Sequence, residues 1–252
     1  NSVPMENTGM SFSFLEMAML LVFLGAYIRK KGLGMFKNPY LLIPVAFIVT
    51  MVLCGAVGAA DNTTNLVSVP FDGGTDDYSR SDEPVISADG RYVAFTSSSS
   101  HLVPGENNYY QDIFVRDLQT QITERVSVSN NGAEGNGDSS QPNISADGRY
   151  VVFTSYASNL VLGDNNSCQD IFIRDRLSGT TQIITKSFEG GGTIDQSFDP
   201  SINADGRYVV FTSYASNLVP NDVNERADIF LWDRATSSIS RVSVTPSGGE
   251  AN

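Results

Sequence analysis

Three short stretches of this 252-residue chain place oxygen-bearing side chains at one spacing. They read ENNYYQD at Glu106–Asp112, DNNSCQD at Asp164–Asp170 and DVNERAD at Asp222–Asp228. Each has an acidic residue, an asparagine two positions on and an aspartate six positions on. Calcium takes about six to eight hard oxygens from carboxylates, amide carbonyls, backbone carbonyls and water. Asp164, Asn166 and Asp170 are therefore candidate calcium ligands, as are Asp222, Asn224 and Asp228. Glu106 replaces the first aspartate with a longer arm, so its loop is expected to be the poorest of the three. The competing reading is that Asp and Asn are good turn formers, with Asp170 bonding loop amides where a strand begins. No other cofactor is suggested.

Catalytic chemistry finds little material. His101 is the only histidine, which excludes a multi-histidine metal site and leaves no Ser-His-Asp arrangement. There is no G-x-S-x-G elbow and no phosphate-cradling glycine loop. Cys168 has no histidine at its own place in the repeat described below, so a passive thiol is expected rather than a nucleophile. The aspartates recur at equivalent places, and a catalytic group is needed only once. Tyr156 and Tyr214, just after a repeated FTS, could line a rim for sugar or peptide contacts, while Tyr109 and Tyr110 also break the polar pattern. Trp232 stands where the equivalent segments have Arg116 and Arg174, and packing is its expected role. Asn62, Asn143 and Asn165 lie in N-x-S/T sequons, relevant where a host glycosylates exported proteins.

The elements that would position these residues are repeated. ADGRYVVFTSYASNLV occurs at Ala146–Val161 and again at Ala204–Val219, with a close copy at Ala88–Val103. Pro84, Pro142 and Pro200 share one interval of 58 residues, as do Asp112, Asp170 and Asp228. An unbroken period of this length marks a repeat architecture. Each unit reads as four short strands, exemplified by Pro142–Ser145, Arg149–Ser155, Asp170–Asp175 and Gln182–Lys186. The first two flank Asp147-Gly148, a strong hairpin signal in which glycine tolerates positive φ and Asp does so better than most. Val151 and Phe153 point one way, while Tyr150 and Val152 point the other. Strands apolar on both faces belong in sheets covered on both sides, and radially stacked blades supply that cover.

The fold expected is therefore all-β: a β-propeller fragment of three four-stranded antiparallel blades in an open ring, preceded by N-terminal hydrophobic helical segments. ISADGRYVAFTSS followed by DIFVRDL resembles the WD40-like PD40 repeat of TolB-type propellers. Ala88, Ala146 and Ala204 stand where that family usually has proline, and the period is longer than usual. The acidic loops resemble, in shortened form, the Asp-x-Asn calcium loops of integrin-type propellers, without their third internal aspartate and sharp-turn glycine. Leu66–Val69 matches the RVSV segments at Arg125–Val128 and Arg241–Val244. It is expected to be an extended strand that closes a ring, outermost in an incomplete blade or unpaired. The final SVTPSGGEAN matches the SVSNNGAEGN at Ser127–Asn136, which suggests that a further blade would follow.

Charge divides the chain at Ala60. Residues 1–60 carry +2, from Arg29, Lys30, Lys31 and Lys37 against Glu6 and Glu16, within a whole-chain net of −12. The rest is strongly acidic, with Lys186 its only lysine, and such a surface repels nucleic acid. Ser11–Ile28 and Tyr40–Ala60 are apolar. One reading is a helical hairpin with its basic linker at Arg29–Lys37 in the cytoplasm. The other starts at Met35 and reads residues 35–60 as a signal peptide ending in Gly58, Ala59 and Ala60. The domain expectations are an upstream apolar segment at 1–34, a signal peptide or anchor at 35–60, a lead-in at 61–83 and blades at 84–252. Both leader readings place residues beyond Ala60 outside the cytoplasmic membrane, membrane-attached if the leader is uncleaved. The functional expectation is a cell-surface binding or scaffold module for a protein or glycan, without catalysis. The alternative is a substrate-gating propeller of a larger peptidase or hydrolase.

Overall fold

The computed structural model describes residues 64–74, 79–105 and 107–249. The leader, with the readings at 1–34 and 35–60, and Glu106 lie outside the described residues. Residues Asn65–Asn252 form one compact unit, and its twelve strands make three antiparallel sheets. The first contains β1 (Ser81–Ile86), β2 (Tyr92–Ser97), β3 (Asp112–Asp117) and β4 (Ile122–Arg125). The second contains β5 (Ser139–Ile144), β6 (Tyr150–Ser155), β7 (Asp170–Asp175) and β8 (Thr180–Ile183). The third contains β9 (Ser197–Ile202), β10 (Tyr208–Ser213), β11 (Asp228–Asp233) and β12 (Ser238–Arg241). Strands follow one another in sequence order across each sheet. Three four-stranded blades are thus present as expected, and no helix occurs among the described residues.

The two middle strands carry the core. β6 and β7 pair without a slip from Tyr150↔Asp175 to Ser155↔Asp170, and their counterparts do the same. Side chains alternate faces along each strand, so the apolar run divides between two neighbours. Val151, Phe153 and Phe172 pack against Ala94, Ile113 and Val115 of the first blade. Val152, Ile171 and Ile173 pack against Val209, Phe211 and Phe230 of the third. Paired phenylalanines stack in every blade, with centroids 5.9, 5.8 and 5.7 Å apart. The face of the third blade equivalent to Val152 and Ile171 is open, with Val210 and Ile229 exposed.

Three strand expectations shift. The first strand of each blade begins earlier than the aligned proline, because polar residues extend it: Ser139 Oγ donates to Ser155 Oγ across the pair. The fourth strand ends earlier, at Ile183 rather than Lys186. The Asp-Gly hairpin is wider than a two-residue turn. Gly148 takes the positive φ of 71° and donates its N–H to Ser145 O. Asp147 acts through its carboxylate, accepting from Ser145 Oγ at 2.6 Å and Arg149 N at 3.0 Å.

Leu66–Val69 is not a strand. Val67 packs on Val93, Phe95 and Phe114 of the first blade, as Val126 and Ile184 pack into the two blade junctions. Val69 N donates to Val67 O, as Lys186 N does to Ile184 O. Phe71 N then reaches His101 O, as Phe188 N reaches Asn217 O. The segment therefore reproduces the strap that follows a fourth strand and crosses onto the next blade. RVSV has the same fate: Val126 lies past β4, although its N–H still reaches Ile113 O.

Candidate functional site

The acidic loops enter the third strands, and the last aspartate of each is a buried clasp. Asp170 Oδ1 accepts from Thr185 Oγ1 at 2.6 Å and Thr193 Oγ1 at 2.9 Å, and its Oδ2 accepts from Asn166 Nδ2 at 2.8 Å. Thr185 Oγ1 in turn accepts the Ile171 N–H. Asp112 accepts from Ser127 Oγ, and Asp228 from Ser243 Oγ. The clasp ties the start of the third strand to the residue where the strap leaves the sheet. Asn166 and Asp170 thus meet, with Asn166 presenting its amide N–H to the carboxylate. Asn224 Nδ2 donates to Asp228 Oδ2 in the same way.

Electrostatics separates the three loops. Arg241 lies between Asp222 Oδ1, at 3.1 Å, and Asp228 Oδ2, at 3.5 Å. Arg125 lies 3.6 Å from Asp112 and 2.8 Å from Glu134. The second blade has Ile183 at that position and no such arginine. Burial, followed by the charge of Asp170, pushes Asp164 up to about 6. Asp170 is raised mainly by burial. Asp112 also rises to about 6, because burial outweighs its Ser127 bond and Arg125. Two loops therefore hold an internal cation, and the second does not. Cys168 lies beside the latter, its thiol raised by burial and by the Asp170 charge, which suits the passive role expected.

Tyr156 and Tyr214 are half exposed, Tyr109 is fully exposed, and Tyr214 tilts against Phe198 at 5.7 Å. Trp232 is buried in the core between the second and third blades. His101 Nδ1 lies 3.8 Å from Asp72.

Sequence reasoning missed the polar ladder along the first strands, which lie side by side at the inner edge of the blades. Glu83, Gln141 and Asp199 are 58 residues apart, each just before an aligned proline. All three are left-handed, with φ of 50°, 54° and 54°, and sit where the pairing of the first two strands slips. Gln141 N donates to Glu83 Oε2 at 2.6 Å. Asp199 N donates to Gln141 Oε1 at 2.9 Å, while Gln141 Nε2 donates back to Asp199 Oδ1 at 2.6 Å. The second and third blades each hand a bulge N–H to the side chain of the blade before them. The signal available was a polar residue preceding a proline at a fixed interval.

No family model matches the chain, and no curated protein matches it. Solved structures similar to it include TolB from Acinetobacter baumannii, at 20% identity and a TM-score of 0.41, covering 68% of this chain and 33% of that one. An acylaminoacyl peptidase from Pyrococcus horikoshii is 12% identical with a TM-score of 0.40, covering 66% and 25%. An oligogalacturonate lyase from Vibrio parahaemolyticus is 13% identical with a TM-score of 0.39, covering 63% and 38%. The chain spans about a third of the length of that TolB and a quarter of that peptidase.

Proposed function

We propose that this chain is an extracytoplasmic binding or scaffold module whose β-propeller blades take a protein or glycan at their inner edge, with no catalysis in the described residues. The ladder of Glu83, Gln141 and Asp199 carries this reading. Non-glycine residues held at positive φ cost about 1–3 kcal/mol each and concentrate where a backbone has a task. Here three of them line one edge at equal intervals and leave Glu83 and Asp199 exposed. The apolar leader and acidic, lysine-poor surface support a place outside the cytoplasmic membrane, away from nucleic acid.

Calcium binding is proposed for the second loop, through Asp164, Asn166 and Asp170. In the third, Arg241 already supplies a cation to Asp222 and Asp228.

The test is a photoreactive residue placed at exposed Ser201 on the inner strand of the third blade or at exposed Ile122 on the outer strand of the first, in the chain expressed in its own host. Adduct to one defined partner from Ser201 alone supports the reading, and equal labelling from both positions overturns it. A reading frame that continues into a hydrolase domain would favour the gating role instead.

A further inference from the structure

The outermost pair of strands changes character in the third blade. Arg116 faces Thr123, and Arg174 faces Thr181, each arginine donating to the hydroxyl at 3.0 Å. In the third blade the same cross-strand pair is Trp232 and Ile239. At the first junction Thr181 also fastens the strap from the blade before. Its N–H donates to Asn130 Oδ1 at 2.6 Å, and its Oγ1 donates to Val128 O at 2.5 Å. The strap thus covers this part of β8, a side-chain oxygen taking the strand N–H and a carbonyl taking the threonine hydroxyl.

At the next junction the equivalent strap residues are Lys186 and Phe188. No such bond joins Phe188 to Ile239 among the described residues. A cleft of about 690 Å³ lies there, lined by Trp232, Ile239, Phe188, Pro220 and Lys186 among others. Phe188 is half exposed, while Trp232 is only 4% exposed. A buried indole cannot offer an open ring face to a sugar, but it can floor a pocket for an apolar side chain. Lys186 is the one lysine beyond Ala60 in a strongly acidic chain.

We infer that this cleft takes an extended peptide that adds to the outer edge of β12. The peptide backbone lies in the cleft between the Lys186–Phe188 strap and β12, and accepts from the Ile239 N–H. A bulky apolar side chain enters between Phe188 and Ile239 above Trp232, and a carboxylate on the same face pairs with Lys186. Strand addition of this kind draws affinity from main-chain bonds and specificity from alternate side-chain pockets. The inference concerns the outer rim and stands apart from the inner-edge reading.

Trp232 is the only tryptophan, so its fluorescence reads the cleft directly. The probe is the N-acetylated, C-amidated peptide Thr-Val-Thr-Phe-Thr-Glu-Thr, in which Phe and Glu share a face, against a permuted peptide that puts them on opposite faces. The full chain is expected to show a saturable shift with the first peptide and at least about tenfold weaker binding to the second. Phe188→Asn with Ile239→Thr recreates the chemistry of the previous junction and should weaken binding by about tenfold or more. Lys186→Glu, at an exposed position that does not bear on folding, should weaken it several-fold at low salt and less at high salt. No saturable change at about millimolar peptide, where an affinity of only about −4 kcal/mol would register, overturns the inference. So does equal binding by wild type and Lys186→Glu.

Discussion

The ring of Tyr150 closes on the α-carbon of Gly206: a β-carbon there would lie 2.9 Å from Tyr150 Cγ and nearer still to Cδ2. Arg234 also lies over this ring, its guanidinium 4.2 Å from the centroid and donating to Gly206 O at 2.8 Å. Tyr92 meets Gly148 and Arg176 in the same way at the first junction. Gly148 and Gly206 are therefore each required twice, for their positive φ and for the approach of a neighbouring blade.

Alanine substitutions separate those two demands. Gly206→Ala and Gly148→Ala combine left-handed strain with overlap against a tyrosine ring, and should each cost about 2–4 kcal/mol. Gly90 has the same φ of 71° but nothing within 4 Å of its missing β-carbon, so Gly90→Ala should cost only about 1 kcal/mol. Urea unfolding of the three variants checks this, and equal costs would show that the tyrosine contact contributes nothing.

The buried carboxylates set a pH dependence. Asp112 and Asp164 are raised to about 6, so the folded chain holds protons that the unfolded chain loses near pH 4. Stability should fall as pH rises from about 4 to 6. Asp175 acts in the opposite sense. Its bonds from Arg149, at 2.9 and 2.7 Å, hold it down at about 2, so its contribution is present above pH 4 and lost towards pH 2. Asp117 is depressed by Arg91 in the same way. The melting temperature should therefore peak near pH 4. Asp112→Asn keeps an oxygen for Ser127 and should flatten the upper slope. A melting temperature that climbs from pH 5 to 7.5 would contradict this assignment.

Calcium should act on one loop. An ion that binds only the folded state raises the melting temperature by mass action, and Asp164 would then ionise at lower pH. Asp164→Asn should abolish the response, as should Ile183→Arg, which copies the cation of the neighbouring blades. Asp222→Asn should leave it unchanged. A melting curve indifferent to millimolar calcium would leave all three loops as turns.

The blade count, the middle strands and the two-faced packing were legible because they follow from period and alternation alone. Val151 and Phe153 against Val152 is a statement about side-chain direction, and direction is fixed once a strand is. The strap at Val126 and Val67 was not legible. An apolar alternation looks the same whether the chain stays on its sheet or crosses to the next, and the side-chain clasp at Ser127 decides which. The acidic spacing singled out Asn166 with Asp170 and Asn224 with Asp228, which are hydrogen-bonded. What neutralises them lies in Arg125, Ile183 and Arg241, on a different strand with a partner visible only in space. Glu83, Gln141 and Asp199 were hidden for a further reason: their roles depend on a left-handed backbone that non-glycine residues rarely signal.

That backbone gives the last prediction. Glycine reaches φ near 54° without strain, so Asp199→Gly should offset its lost side-chain bonds and leave stability within about 1 kcal/mol of wild type. Asp199→Ala keeps the strain while losing the bond from Gln141 Nε2, and should cost about 1–2 kcal/mol. If the ladder serves binding, both variants should lose the adduct formed from Ser201 although one of them folds as well as wild type. Chemical denaturation measures the first pair of outcomes and photolabelling the second. Full labelling by the stable Asp199→Gly variant would reduce the ladder to a device for holding neighbouring blades in register.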